Sequence, residues 1–174
     1  MCADAPALTP EAALRARFVG AMSRAATGVC VIATDGPAGR LGLTVSAVSS
    51  VSADPPLLLA CVNRRNRLRD ALLANRCFAL NLLAPGQAAL ADVFAGRTPD
   101  RADAYRFDPD AWSPGLSGSP VLAGAAASFD CRLEAWHEAG THTIVIGGVL
   151  DAECANTAQL AYCRRTYART VALG

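Results

Sequence analysis

The cleanest alternation of apolar and polar positions runs from residue 128 to 135, where Phe129, Cys131, Leu133 and Ala135 interleave with Ser128, Asp130, Arg132 and Glu134. Side chains two apart share a face of a strand, so this stretch predicts one buried and one wet face. Thr143 to Leu150 is apolar and β-branched, and it should pair back across a turn at Glu138-Ala139-Gly140. Thr27 to Thr34 reads as another strand, and Asp35 to Gly39 as a turn whose glycines serve its backbone. Leu41 to Ser46 then returns. Asp54-Pro55-Pro56 interrupts the ladder because proline lacks an amide hydrogen, strands are expected at Leu57 to Val62 and Cys77 to Leu83, and a last segment near Leu160 to Tyr167 closes the chain.

Helical spacing is confined to three places. Thr9-Pro10-Glu11 combines a capping hydroxyl, a first-turn proline and an acid at the positive dipole end, and Leu14, Phe18, Met22 and Ala25 follow on one face. Arg67 to Asn75 and Gln87 to Phe94 predict two shorter helices. The stretch from Ala95 to Pro120 is rich in Gly, Pro, Asp and Ser and is too long for an ordinary connection. About six strands without regular strand-helix alternation point to an antiparallel barrel, not a parallel doubly wound sheet.

The chain has 174 residues and is 52% hydrophobic and 18% charged, which fits one domain with much buried apolar surface, some of it between subunits. A net charge of +1 provides no field for nucleic acid or an acidic membrane. No stretch approaches the ~20 uncharged apolar residues of a membrane span. Met1 to Pro10 lacks the basic start and apolar run of a secretory signal. The seven cysteines are irregularly spaced with no C-x-x-C pair, and they read as reduced, buried thiols of a cytoplasmic protein.

Familiar sites are missing. No phosphate loop or nucleophile elbow occurs, and Gly36, Gly39 and Gly42 lie within a hairpin, outside the strand-turn-helix context of a dinucleotide fingerprint. His137 and His142 stand five apart with Gly140 between, unlike a helical zinc motif, so no metal is expected. Two histidines give acid-base catalysis few candidates, and a reaction that needs orientation fits better.

Gly42 to Pro56 (GLTVSAVSSVSADPP) resembles the signature of the short-chain flavin reductases, the reductase components of two-component flavin monooxygenases. The likeness continues through Cys61-Val62-Asn63-Arg64, Asn81-Leu82-Leu83, Phe94-Ala95-Gly96, Gly118 to Leu122, Ser128 to Arg132 and Gly140-Thr141-His142. Within the family, it is strongest to the reductases serving 4-hydroxyphenylacetate 3-monooxygenase and the monooxygenase of pyrimidine-ring degradation. The resemblance implies a mainly β fold with flanking helices, an antiparallel split β-barrel that binds flavin. It would be a single domain over 1–174 with residues 1–12 as a tail, a homodimer binding FMN or FAD, with NADH as hydride donor. Its partner would be a separate flavin-dependent monooxygenase.

The same resemblance assigns the site. Thr44, Val45 and Ser46 would border the flavin ring, and Ser50, Val51 and Ser52 the ribityl chain and phosphate; the run Thr44 to Ser52 carries five hydroxyls. Asn63 joins them, while Asn66 and Arg67 stand where relatives carry Ser and Thr, Arg67 offering a charged contact to phosphate. Phe94, Ala95 and Arg97 match the loop that reaches the flavin tail, and Tyr167 a C-terminal segment that closes over the site. His142 is the candidate catalytic side chain, placed to position the nicotinamide. An alternative on the same fold is a noncatalytic flavin-binding module.

Overall fold

The structure is a computed structural model that describes residues 9–100, 102 and 104–173. A first helix, α1 (Pro10–Met22), starts where expected, with the Thr9 hydroxyl accepting from the Ala12 amide. It has no buried residue: Leu14, Phe18 and Met22 are all exposed. Of the expected tail, residues 1–8 lie outside the described residues, and Pro10 to Ala12 form the first turn of α1.

Twelve strands follow among the described residues: β1 (Thr27–Gly28), β2 (Cys30–Thr34), β3 (Leu41–Val45), β4 (Val48–Ala53), β5 (Pro56–Asn63), β6 (Cys77–Leu82), β7 (Trp112–Pro114), β8 (Pro120–Leu122), β9 (Ala127–Ala139), β10 (His142–Cys154), β11 (Leu160–Cys163) and β12 (Thr166–Arg169). Two more helices, α2 (Arg67–Asn75) and α3 (Ala88–Phe94), flank them. Seven strands form one antiparallel sheet in the order β3-β2-β6-β9-β10-β5-β4.

That order agrees with the expected mainly β, antiparallel fold with flanking helices and shows no closed barrel. The sheet is not closed, because β3 and β4 are its two edges and do not pair. Yet these edges are consecutive in the chain, joined only by Ser46 and Ala47. Two residues span about 10 Å at most, so the sheet must curl until its edges nearly meet. The gap between them is where the serine-rich segment runs.

Two apolar clusters fill the two faces. Ile32, Leu58, Val62, Leu72, Phe78, Leu80, Leu133 and Val145 pack within the curl of the sheet, closed by α2. Each such side chain contributes about 1.5–3 kcal/mol on burial. Val31, Leu83, Phe94, Trp112 and Leu122 form the second cluster, beneath the long segment after α3. There Phe94, Phe107 and Trp112 meet edge-on, with ring centroids 4.8–5.4 Å apart.

This second cluster overturns part of the strand pattern. Ser128 and Asp130 are buried, not wet, because the segment from Ser113 to Leu122 lies over them. Asp130 accepts from the Ser117 amide and hydroxyl, and the Ser128 hydroxyl donates to Asn81 Oδ1. Asn81, fully buried, also accepts from the Leu122 amide and donates to the carbonyls of Val31 and Pro120. It ties β2, β6, β8 and β9 together.

The thiols divide. Cys30, Cys77 and Cys131 are buried as expected, whereas Cys154 is exposed. Burial pushes the Cys30 thiol up to about 12, and burial with the neighbouring Asp130 charge does the same for Cys131. These are inert core groups.

Candidate functional site

Most of the expected site residues line three hollows, two of which share Ser46 at the open seam. The first has a volume of about 170 Å³ and is lined by Val29, Thr44, Val45, Ser46, Ala95, Arg97, Tyr162 and Tyr167. Six of these eight were expected. Elements distant in sequence meet here: the end of β3, the loop after α3, and the C-terminal hairpin.

Hydrogen bonds hold the walls. The Thr44 hydroxyl donates to the Ala91 carbonyl at 2.7 Å, pinning β3 to α3. Arg97 donates through Nε to Asp92 Oδ1 at 3.0 Å and through a terminal nitrogen to the Tyr167 hydroxyl at 2.6 Å. That hydroxyl in turn donates to Asp92 Oδ1 at 2.8 Å. Burial opposes the Arg97 charge, but the Tyr167 oxygen and the Asp92 carboxylate outweigh it and hold the guanidinium above its ordinary range. Burial and the bond to Asp92 push the Tyr167 phenol above its usual value. Sequence reading missed Asp92. It lies five residues before Arg97 across a helix end, a spacing that matches no helical face.

The second hollow, of about 430 Å³, opens between β4 and the sheet interior and is mainly apolar. Ser46 lines both it and the first hollow, and Ser50 and Ser52 line its rim. Ser52 Oγ accepts from the Asp54 amide, whereas Ser46 and Ser50 have no side-chain hydrogen bond among the described residues. Val51 points elsewhere and is exposed. A register shift between Ser50 and Ser52 sets it apart from its neighbours.

The third hollow, of about 770 Å³, contains Asn63 and His142 with Arg15, Arg64, Arg65 and Arg69. Asn63 and His142 are direct partners in the β5–β10 ladder. Two residues back along β5, the Cys61 amide donates to the Ala47 carbonyl. At strand spacings, the His142 end of β10 and the Ser46-Ala47 link lie on the order of 10 Å apart. The His142 imidazole Nδ1 is 2.9 Å from the Thr141 hydroxyl. Its turn depends on Gly140, whose φ of +56° is left-handed, although a side chain there would meet nothing.

Besides Val51, three expected residues stand apart from these hollows. The Asn66 side chain caps α2, its Oδ1 accepting from the Leu68 amide at 2.9 Å, and it lines none of the three hollows. Arg67 is exposed at the first position of α2 and lines none of the three. Phe94 is fully buried in the second cluster, so its ring serves packing. Gly42, read from sequence as a turn residue, lies in β3 against that ring.

The donor set suits a flavin. One edge of an isoalloxazine ring carries alternating carbonyl and ring-nitrogen groups, and β3 and β4, as edge strands, leave backbone donors and acceptors unpaired along the seam. The ribityl chain asks for hydroxyls, which Ser50 and Ser52 could supply, and a phosphate asks for a cation, which Arg97 could supply. Among the described residues no His, Cys, Asp or Glu group forms a metal-binding cluster, and no helix is long and apolar enough to cross a membrane.

Comparison with known proteins agrees. The FMN reductase (NADH) RutF of Variovorax paradoxus is 44% identical over 168 residues, covering 96% of this chain and 89% of the relative. Among solved structures, the NADH:FAD oxidoreductase SgcE6 of Streptomyces globisporus, in complex with NAD and FAD fragments, matches with a TM-score of 0.80 and 31% identity, over 96% of this chain and 98% of that one. The styrene monooxygenase flavin reductase of Pseudomonas putida S12 matches with a TM-score of 0.77 and 26% identity, over 90% and 98%. Residues 22–170 match the family described as the flavin reductase like domain, and the chain belongs to that family.

Proposed function

We propose that this chain is an NADH-dependent flavin reductase that supplies reduced flavin to a separate monooxygenase. The observation that carries it is the run Thr44 to Ser52, which crosses from one free sheet edge to the other and borders two of the three hollows. The names of the similar proteins point the same way, and the FMN reductase at 44% identity favours FMN over FAD.

A bound flavin would supply the redox chemistry, accepting a hydride at N5 from the nicotinamide C4. The chain's own residues orient and bind. Backbone groups of Thr44, Val45 and Ser46 border the ring, Ser50 and Ser52 the ribityl chain, and Arg97, braced by Asp92 and Tyr167, meets the phosphate end. His142 and Asn63 receive the nicotinamide side. Alignment of two reactants can contribute on the order of 7–11 kcal/mol, so no protein nucleophile is needed.

A homodimer in the cytoplasm completes the reading. The exposed apolar side chains of α1 and the open seam suit cover by a second copy. The test is to mix purified protein with NADH and with FMN or FAD and follow nicotinamide absorbance. Flavin-dependent loss of NADH, faster with FMN, is expected. Its absence, with flavin retained through desalting, would favour the noncatalytic module. Light scattering on the eluting protein gives the oligomeric state.

A further inference from the structure

The hairpin turn that carries His142 is tethered by one carboxylate, Glu138, which lies directly across the ladder from Thr143. Both of its oxygens are engaged. Arg64 Nε meets Oε2 at 2.7 Å, and Arg69 donates to Oε1 at 2.6 Å. The Thr143 hydroxyl, next to His142, also donates to Oε1 at 3.2 Å.

The arginines are themselves tied down. The Arg64 amide donates to the Thr141 carbonyl at 3.0 Å, and its guanidinium donates to the Gly140 carbonyl at 3.3 Å. Arg69, on α2, also pairs with Asp70 at 2.7 Å. Glu138 therefore joins the β9–β10 turn to the β5–α2 loop, beside the paired residues Asn63 and His142 that line the third hollow. The bond from Arg69 chiefly holds the Glu138 carboxyl below its ordinary value, against partial burial, with Thr143 and Arg64 assisting.

We propose that Glu138 is a positioning residue for His142, acting through Arg64, Arg69 and Thr143 to fix the turn that presents the imidazole. This rests on the reductase reading above. Exposed ion pairs add little stability singly, so the consequence falls on geometry and not on folding. Gly140 and Thr141, the only residues between the paired positions Ala139 and His142, include the most permissive residue type at a left-handed φ. Without the carboxylate, Arg64 and Arg69 would repel one another, and the turn would keep only its ladder and Arg64's two bonds to it. A displacement of about 1 Å at a reacting centre can cost up to a hundredfold in rate.

The test is a double-mutant cycle read by stopped flow. Protein with FMN is mixed anaerobically with NADH, and loss of the oxidised-flavin band is followed for the parent, Glu138→Ala, Glu138→Gln, His142→Ala and the Glu138→Ala, His142→Ala pair. Glu138→Ala is expected to slow reduction about tenfold, with Glu138→Gln intermediate because it keeps a neutral acceptor. FMN affinity and thermal midpoint should hardly change. In the His142→Ala background the Glu138 substitution should alter the rate by less than about twofold.

An unchanged rate in Glu138→Ala, an unchanged rate in His142→Ala, or equal losses with and without His142 would each overturn the proposal. Should Glu138→Ala fail to fold, Glu138→Gln carries the same cycle with the same criteria. A parent that shows no flavin-dependent NADH oxidation would instead remove the reductase reading, which keeps the two failures distinct.

Discussion

The Tyr167 hydroxyl donates to Asp92 Oδ1 at 2.8 Å while accepting from Arg97, so a residue seven from the C-terminus closes a triangle with both ends of one helix-to-loop junction. The Tyr167 ring also lies edge-on to Tyr162, centroids 5.5 Å apart. The C-terminal hairpin is thereby locked to the wall that Thr44 builds against α3. Tyr167→Phe keeps the ring contact and removes both hydrogen bonds. A loss of about 1–3 kcal/mol in stability is expected from urea unfolding, since both lost partners, Arg97 and Asp92, are charged. FMN affinity should fall as well, because Arg97 loses one of its two braces.

Arg97 itself offers a sharper test of which flavin group it meets. A charge-assisted bond to phosphate is worth about 1.5–3 kcal/mol, or roughly 10-fold to 100-fold in affinity. Arg97→Ala should weaken FMN binding by that factor while leaving riboflavin, which lacks the phosphate, nearly unchanged. Fluorescence titration with the two ligands decides it. Equal losses for both would move Arg97 from the phosphate to a purely structural part in the wall.

Gly42 tests how far packing behind the site governs the site. A methyl group at this position would meet Phe94 Cε1 at 2.7 Å and Phe107 Cζ at 3.0 Å, inside the aromatic cluster. Phe94 ends α3, and the loop to Arg97 starts there. Gly42→Ala should therefore cost about 1–3 kcal/mol by overpacking. A measurable rise in the Kd for FMN should accompany it, although Gly42 lines none of the three hollows. A stable variant with parental affinity would show that α3 is free to shift without consequence.

Local elements were readable in the residues, and long-range cover was not. The bounds expected for α2 are those found, because Asn66 caps it and one turn of apolar residues, Leu68, Ala71 and Leu72, faces the core. The β9–β10 hairpin followed from period-two patterning and Gly140. Nothing in the spacing announced that β6 inserts between β2 and β9, since antiparallel pairing over such separations leaves no local mark. Ser128 and Asp130 were misjudged for the same reason: what buries them is a segment with no periodicity of its own. At the site, the resemblance supplied Thr44 to Ser46, Arg97 and Tyr167. Asp92 and Glu138 escaped notice because an acid that braces an arginine looks, in sequence, like any surface acid.

The buried thiols are expected to contribute to the alkaline limit of the fold. Cys30 and Cys131 have thiols raised from 9.0 to about 12, so between those values the folded chain keeps protons that the unfolded chain has lost. Stability from these groups is fully present below about pH 9 and is lost as pH climbs toward 12, at up to about 1.4 kcal/mol per pH unit for each thiol. The raised Tyr167 phenol acts in the same direction, from about pH 10 upward. Urea midpoints measured between pH 8 and about pH 10.5 should fall steadily in the parent. Replacing both thiols, Cys30→Ala with Cys131→Ala, lowers stability at every pH through lost packing but should flatten that slope. The comparison rests on slopes and not on absolute values, and parallel slopes in parent and variant would mean that other groups govern unfolding in base.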